Sequence, residues 1–253
     1  MITIITASFN SENTIARCIS SVKSQNFSDW EHLIIDGGSS DRTIDIVKEM
    51  DHQRLRFVSE PDDGIYHAFN KGIRIAKGSI IGFLNSDDEY FDQSVLELIH
   101  NCFAHGENVA AVYGNLVYVS EQEKVVRDWV SGDFNPQKFV YGWMIPHPTL
   151  YCKRELFSVI GSFDEKFRIA GDFDHQLRLA KSKVGRVTYT NNYFVKMYLG
   201  GISNRSLKHI IQKILEDFTA FRNNEFSILA AFIGVILKNV RKLKQLRIGR
   251  SWP

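Results

Sequence analysis

Short apolar, β-branched runs alternate with helix-patterned segments along the first part of the chain, and each run ends in polar residues. Few folds satisfy that pattern. Ile2–Ala7 gives way to Ser8-Phe9-Asn10-Ser11 and then to Ile15, Cys18, Ile19 and Val22, whose spacing marks one helical face. His32–Asp36 predicts a buried strand, Asp41–Met50 a helix, Leu55–Ser59 a strand and Tyr66–Lys77 a helix ended by Gly78. Ser79–Leu84 predicts a further strand that runs straight into Asn85-Ser86-Asp87-Asp88. Such succession implies right-handed βαβ units: a Rossmann-like α/β fold with a mostly parallel central sheet and helices on both faces. Open sheets of this kind bind ligands at the C-terminal ends of their strands, so function is expected at that edge.

Beyond about residue 105 the rhythm changes. Val109–Val119 and Lys124–Val130 read as longer, mixed or antiparallel strands, and Asp133–Pro148 is irregular and aromatic-rich. Arg154–Ile160 and Asp174–Lys181 predict helices, and Gly185–Thr190 and Tyr193–Tyr198 predict strands. Two more helices are expected at 206–224 and 226–248, so the chain divides into an α/β body, 1–205, and a helical extension, 206–253.

The 253 residues, 44% hydrophobic and 24% charged, exclude a disordered chain and suffice for a core that needs no disulfide or structural metal. Cys18, Cys102 and Cys152 are far apart and form no C-x-x-C pair, which fits a reducing cytoplasm. The N-terminal run lacks a basic segment before it and reads as a strand, not a signal peptide. Net charge is +2, but Lys238, Arg241, Lys242, Lys244, Arg247 and Arg250 give the last stretch +6, leaving −4 on the rest. A mildly acidic body argues against a nucleic-acid binder, whose positive charge should cover a face of the fold.

Two segments carry the chemistry. Phe83-Leu84-Asn85-Ser86-Asp87-Asp88-Glu89 ends a strand in clustered acids, whose repulsion a hard cation such as Mg²⁺ or Mn²⁺ would relieve. The same residues also suit an Asp-rich turn capping the next helix. Ile35-Asp36-Gly37-Gly38-Ser39-Ser40-Asp41 places a carboxylate at a strand end beside two glycines and a Ser/Asp cap. Exposed at the sheet edge, Asp36 would accept hydrogen bonds from a base or ribose; equally, it would belong to a well-formed βα turn. No G-x-G-x-x-G follows a strand and no G-x-x-x-x-G-K-[ST] occurs, which counts against a nicotinamide-dependent dehydrogenase and a P-loop NTPase.

Taken in order, Thr6-Ala7-Ser8-Phe9-Asn10, Ile35–Asp41, Asn70-Lys71-Gly72 with Ala76-Lys77-Gly78, and Phe83–Asp88 resemble the successive signatures of family 2 glycosyltransferases with the GT-A fold. The stretch Glu60-Pro61-Asp62-Asp63-Gly64-Ile65-Tyr66 resembles the branch that builds bacterial surface polysaccharides. The resemblance implies a nucleotide-sugar donor, usually UDP-linked, held by the loops around Thr6, Ser8, Asn10, Asp36 and Asp63. Asn85-Ser86-Asp87 takes the D-x-D position, with Asp87 the expected ligand of Mn²⁺ or Mg²⁺ and Asp88 a helper or helix cap. Asn85 stands where the first Asp is common; it can hydrogen-bond a ribose but brings no charge. Phe69 stands where many members have Arg, which leaves Tyr66 or Lys71 as candidates for a donor-phosphate contact.

Gly171-Asp172-Phe173-Asp174 resembles the family's Glu-Asp segment, with Gly171 in place of Glu. Asp172 aligns with the base that deprotonates the acceptor hydroxyl, and Gly171 would let an acceptor approach. Asp172 equally suits a helix N-cap, Asp174 is the fallback base, and Arg178 is spaced to pair with Asp174. His147, between two prolines, and the turn Gly200-Gly201-Ile202-Ser203 are further candidates for diphosphate contacts.

Phe226–Leu237 is apolar but too short to span a bilayer, and the basic stretch follows at once. An amphipathic helix on an anionic membrane accounts for both parts; a helix packed on the body with a basic outer face is the other reading. The resemblance implies an inverting, metal-dependent hexosyltransferase acting on a lipid-linked saccharide at the inner face of the cytoplasmic membrane. A nucleotidyltransferase would carry a glycine-rich basic N-terminal loop, which Ser8–Asn13 is not. A catalytically inactive nucleotide-binding scaffold is the remaining alternative, prompted by Asn85 and Gly171.

Overall fold

The computed structural model describes residues 1–50, 52–198 and 207–245. The Gly200–Ser203 turn, the boundary at residue 205, Arg247 and Arg250, and the side chains of Lys242 and Lys244 lie outside the described residues.

The first half is β1 (Ile2–Ser8), α1 (Ile15–Lys23), β2 (Trp30–Asp36), α2 (Thr43–Glu49), β3 (Leu55–Ser59), α3 (Ile65–Ile75), β4 (Ile80–Phe83), β5 (Asp88–Tyr90) and α4 (Val95–His105). The second is β6 (Val109–Val119), β7 (Val125–Trp129), β8 (Tyr151–Lys153), α5 (Arg154–Ile160), α6 (Gly171–Lys181), β9 (Arg186–Tyr198), α7 (Leu207–Asn223) and α8 (Ile228–Lys244). Short 3₁₀ turns at Pro136–Tyr141 and His147–Thr149 interrupt the aromatic-rich segment.

Among the described residues one sheet runs β3-β2-β1-β4-β8-β6-β9-β5, with β7 on β6. β3, β2, β1 and β4 are parallel, as the strand–helix alternation predicts. Their ends line up, Ser8 opposite Asp36 and Asp36 opposite Ser59, so the polar termini share one edge. The second half is mixed, with β8 antiparallel to β4 and β6, and β9 parallel to β6. The two strands expected at 185–190 and 193–198 are one strand, whose register against β6 shifts around Asn115. A bulge absorbs Asn191 and Asn192 without ending the pairing.

Side-chain alternation in β1 explains the layering. Ile5 enters a core with Leu33, Phe69, Phe83, Phe173 and Leu177 on one face, whereas Ile2 and Ile4 enter another with Cys18, Val22, Leu96 and Ile99. Helices α7 and α8 share the first of these cores through Ala220, Phe221, Ala231 and Val235. They run antiparallel, with Asp217 facing Lys238 and Phe221 facing Gly234. Gly142, at φ 71°, has the backbone of Lys238 so near that any side chain there would overlap α8.

Candidate active site

The C-terminal ends of β1, β2 and β4 carry three loops that bind one another. Asn10 Oδ1 accepts from Ser40 N–H at 2.9 Å, and Asn10 N–H donates to Ser39 Oγ at 2.8 Å. Ser11 Oγ and Ser86 Oγ are 2.9 Å apart, which ties the loop after β1 to the loop after β4. Asn10 takes φ 48°, a left-handed conformation that Asn tolerates better than most residues.

Several side chains expected to face a donor are turned inward. Asp36 is fully buried rather than exposed at the edge. Its Oδ2 accepts from Gly38 N–H at 3.0 Å, Ser39 N–H at 2.9 Å and Ser59 Oγ at 2.7 Å, and Oδ1 accepts from Ser39 Oγ. Those bonds use most of a carboxylate's acceptor capacity, so in this geometry Asp36 shapes the loop. Thr6 is also buried, its Oγ1 2.9 Å from His32 Nε2, because it shares the face of β1 that Ile2 and Ile4 bury against Cys18. Lys71 Nζ is held by Glu60 at 3.0 Å and the Pro61 carbonyl at 3.1 Å. Tyr66 Oη donates to the Ile169 carbonyl at 2.8 Å. Lys71 and Tyr66 thus have partners within the protein where a donor-phosphate contact was the expectation. Asp63 is exposed, with His67 Nδ1 3.9 Å from its Oδ2. Ser8 differs: its Oγ is buried and has no hydrogen-bond partner, an open donor or acceptor at the end of β1.

Asn85, Ser86 and Asp87 form a turn closed by Asp88 N–H on the Asn85 carbonyl at 3.1 Å. Asn85 Nδ2 donates to Asp88 Oδ2 at 2.7 Å, while Asp88 Oδ1 is buried without a hydrogen-bond partner. Asp88 opens strand β5 and caps no helix, because the chain turns into pairing with Met197 of β9. Burial, and then the charge of Asp87, push its carboxyl well above the usual range. Arg17 Nη2 reaches the Asp87 carbonyl at 3.3 Å while its guanidinium lies over the Tyr198 ring.

At the start of α6, Asp172 and Asp174 are sorted by their surroundings. The helix begins at Gly171, three residues earlier than its sequence pattern predicts, with Ala170 at the N-cap, so Asp172 lies in the first turn rather than at the cap. Asp172 is half-buried, and its Oδ1 accepts from Phe173 N–H at 2.8 Å. Asp174 is buried and closed in by Arg178 Nε at 3.0 Å and Asn224 Nδ2 at 2.9 Å, which makes it a poor base for an incoming acceptor. Gly171 does not leave an open approach: a Cβ there would meet the Tyr66 ring.

The charges of both acidic centres act on one tyrosine. Tyr118, raised first by burial, is raised further by the charges of Asp88, Asp172 and Asp87. His147 stacks on Phe83 at 5.1 Å; burial lowers its affinity for a proton, and the charge of Asp172 works the other way. The ring packs among Phe69, Phe83 and Phe163.

Residues 3–168 match the sequence profile of glycosyl transferase family 2. The chain belongs to that family. Among curated relatives, this family 2 glycosyltransferase is 29% identical over 171 residues to a PGL/p-HBAD biosynthesis glycosyltransferase of Mycobacterium bovis (strain BCG / Pasteur 1173P2), covering 66% of this chain and 65% of the relative. It is 30% identical over 217 residues to a hyaluronan synthase of Pasteurella multocida, covering 84% of this chain and 22% of that one. Its GT-A fold is shared with S. aureus TarS 1-349 in complex with UDP-GlcNAc, at TM-score 0.62 and 16% identity over 91% of this chain and 69% of that chain. It is shared also with the mannosyltransferase PcManGT of Pyrobaculum calidifontis in complex with GDP-Man and Mn²⁺, at TM-score 0.63 and 18% identity over 96% and 72% of the two chains.

The sequence offers no local sign of Glu216, Asn224 or Lys238, which reach α6 or its lead-in from the C-terminal segment, nor of Asp217, which holds Lys238. One hint is negative: Ile169-Ala170, just before the helix, contains no residue suited to cap it.

Proposed function

We propose that this glycosyltransferase moves a hexose from a nucleotide-diphosphate donor, UDP-linked by first choice, to a hydroxyl of a lipid-linked saccharide in surface polysaccharide assembly, with inversion. The observation that carries this reading is the contrast between Asp172 and Asp174. Asp172 lies partly open in the first turn of α6, whereas Asp174 is buried and closed by Arg178 and Asn224. The complexes of TarS with UDP-GlcNAc and of PcManGT with GDP-Man support the donor class.

In this reading Asp172 takes the acceptor proton as the sugar passes in a single in-line displacement. The loops at Ser8, Asn10, Asp36, Asp63 and Asn85-Ser86 hold the donor, with Asp36 bracing the βα turn and Ser8 Oγ, buried in the free protein, lacking a partner of its own. Lys71 acts by fixing Glu60 and Pro61.

Among the described residues no group of three or more His, Cys, Asp and Glu side chains is arranged to hold a metal. Asp87 with Asp88 nevertheless fits Mn²⁺ or Mg²⁺, ions that sugar-phosphate enzymes bind through one or two carboxylates plus substrate phosphates. The unpartnered Asp88 Oδ1 beside a second acid is the local sign of that fit. When bound there, the ion would neutralise charge on the departing diphosphate.

No described helix is long and apolar enough to cross a membrane. Support for peripheral attachment to an anionic surface comes from the outward faces of α7 and α8, where Leu215, Leu229 and Phe232 are 62%, 68% and 60% exposed. Exposed Lys208 and Arg241 lie toward the end of this pair away from its connecting turn. Lys238, the first cation of the basic stretch, is instead buried against Asp217 at 2.6 Å and takes no part in that surface.

The test is thermal shift with UDP, UDP-glucose, UDP-GlcNAc and GDP-mannose, with and without Mn²⁺, followed by assay of nucleotide release. A Mn²⁺-dependent rise in melting temperature and turnover of one donor are expected. Binding without turnover of any of them would favour the inactive scaffold.

A further inference from the structure

Helix α6 carries the candidate base, yet its start is secured by another part of the chain. Glu216 of α7 directs one carboxylate oxygen, Oε2, at three successive backbone N–H groups, those of Arg168 at 3.1 Å, Ile169 at 2.7 Å and Ala170 at 2.9 Å. Its other oxygen accepts from Gln212 Nε2 at 2.9 Å. Residues 168–170 are the lead-in to α6, ending at the N-cap Ala170. A carboxylate gathering N–H groups before a helix start is a strong, charge-assisted arrangement.

The same two C-terminal helices grip the residues on the other side of Asp172. Asn224 Nδ2 donates to Asp174 Oδ1 at 2.9 Å, and Lys238 Nζ lies 3.4 Å from the centre of the Phe173 ring while paired with Asp217. From the opposite side, Tyr66 Oη holds the Ile169 carbonyl. Asp172 is thus the one residue between 168 and 174, apart from Gly171, that these contacts leave out.

We infer that Glu216 is a positioning residue: by binding the amides of 168–170 it sets where the Asp172 carboxylate stands relative to the acceptor hydroxyl. This inference rests on Asp172 as the base. It gives the C-terminal extension a part in transfer itself. A carboxylate contributed from outside the 3–168 family match fixes the chain just ahead of the helix that carries Asp172.

Removing Glu216 leaves three N–H groups without their common acceptor and frees the lead-in to shift. A misplacement of about 1 Å at a reacting group is enough to cost about 100-fold in rate. The experiment compares the full-length wild type with Glu216→Ala, Glu216→Gln and Asp172→Asn. It reads UDP or GDP release in Mn²⁺ from UDP-glucose, UDP-GlcNAc and GDP-mannose, UDP affinity by calorimetry, and melting temperature. Glu216→Ala is expected to lower kcat about 100-fold with donor KM and UDP affinity within about twofold of wild type. Glu216→Gln, which keeps an acceptor oxygen, is expected to recover to within about tenfold of wild type. A kcat for Glu216→Ala within about twofold of wild type overturns the inference, as does a loss of UDP affinity equal to the loss of rate, which marks general unfolding. Asp172→Asn separates the two readings: undiminished release in that variant removes the base assignment, whereas collapse in Asp172→Asn with normal Glu216→Ala removes only the positioning role.

Discussion

The Tyr66 ring stands so near Gly171 that a Cβ on residue 171 would fall 2.8 Å from its Cε2, a separation that real side chains do not adopt. Helix α3, in the half of the molecule that carries the proposed donor loops, therefore packs directly on the start of α6. Gly171→Ala should push the ring or the helix aside and lower kcat about tenfold or more while leaving Mn²⁺-dependent UDP affinity unchanged. Steady-state rates alongside calorimetry check this, and a wild-type kcat would show that the contact has slack.

Asp87 is proposed as the principal metal ligand. Asp87→Ala should reduce transfer by at least about 100-fold, in line with several kcal/mol of lost charge stabilisation. It should also abolish the difference between UDP titrations with and without Mn²⁺. Retention of that difference would move the metal elsewhere.

Asp172→Asn should lower kcat by about 10²–10⁴-fold with donor affinity preserved. Asp174→Asn should chiefly lower the melting temperature, because it disturbs a buried pair with Arg178 and a hydrogen bond from Asn224. A reversal of these two phenotypes would exchange the roles.

Stability should fall in mild acid. His32, His147 and His175 all have proton affinities below the ordinary 6.5, burial being the first cause in each, and His32 is lowered to about 3. As pH drops below about 6.5 the unfolded chain takes up protons that the folded chain does not, so the stability these groups lend above that value is lost as pH falls, for His32 down to about 3. For His32 the loss is about 1.4 kcal/mol per pH unit across that interval. His175 stacks between Phe157 at 5.3 Å and Phe163 at 4.6 Å. His175→Phe should therefore fold and flatten the decline in melting temperature between pH 7 and pH 5. Identical slopes would mean that His175 is protonated in the folded protein.

The outward apolar face of α7 and α8 should bind lipid. Wild-type protein should sediment with vesicles containing phosphatidylglycerol and less with neutral ones, and the double variant Leu229→Glu, Phe232→Glu should remain in solution. A wild-type dimer that the same substitutions dissociate would assign the face to a second copy instead.

Much of this was legible along the chain. The alternation from Ile2 to Leu84 determined the parallel half of the sheet, and the polar residues after Ala7, Ile35 and Leu84 marked the edge that carries the candidate site, because both follow from local periodicity. The motifs likewise marked Asp87 and the Gly171–Asp174 segment. What they left undecided is which polar groups stay open. Asp36 at a strand end reads the same in sequence whether it faces a nucleotide or, as here, folds back on Gly38, Ser39 and Ser59. Asp172 and Asp174 stand two apart in one helical turn, and only Asn224 and Arg178 closing on the second distinguishes them. Lys238 counted as one cation of a basic tail until Asp217 drew it into the core. Local pattern determines secondary structure and the edge where it ends. Burial and hydrogen-bond partners come from residues distant in the chain, so the accessibility of each carboxylate, and the hold of Glu216 on the start of α6, were decided by the tertiary structure alone.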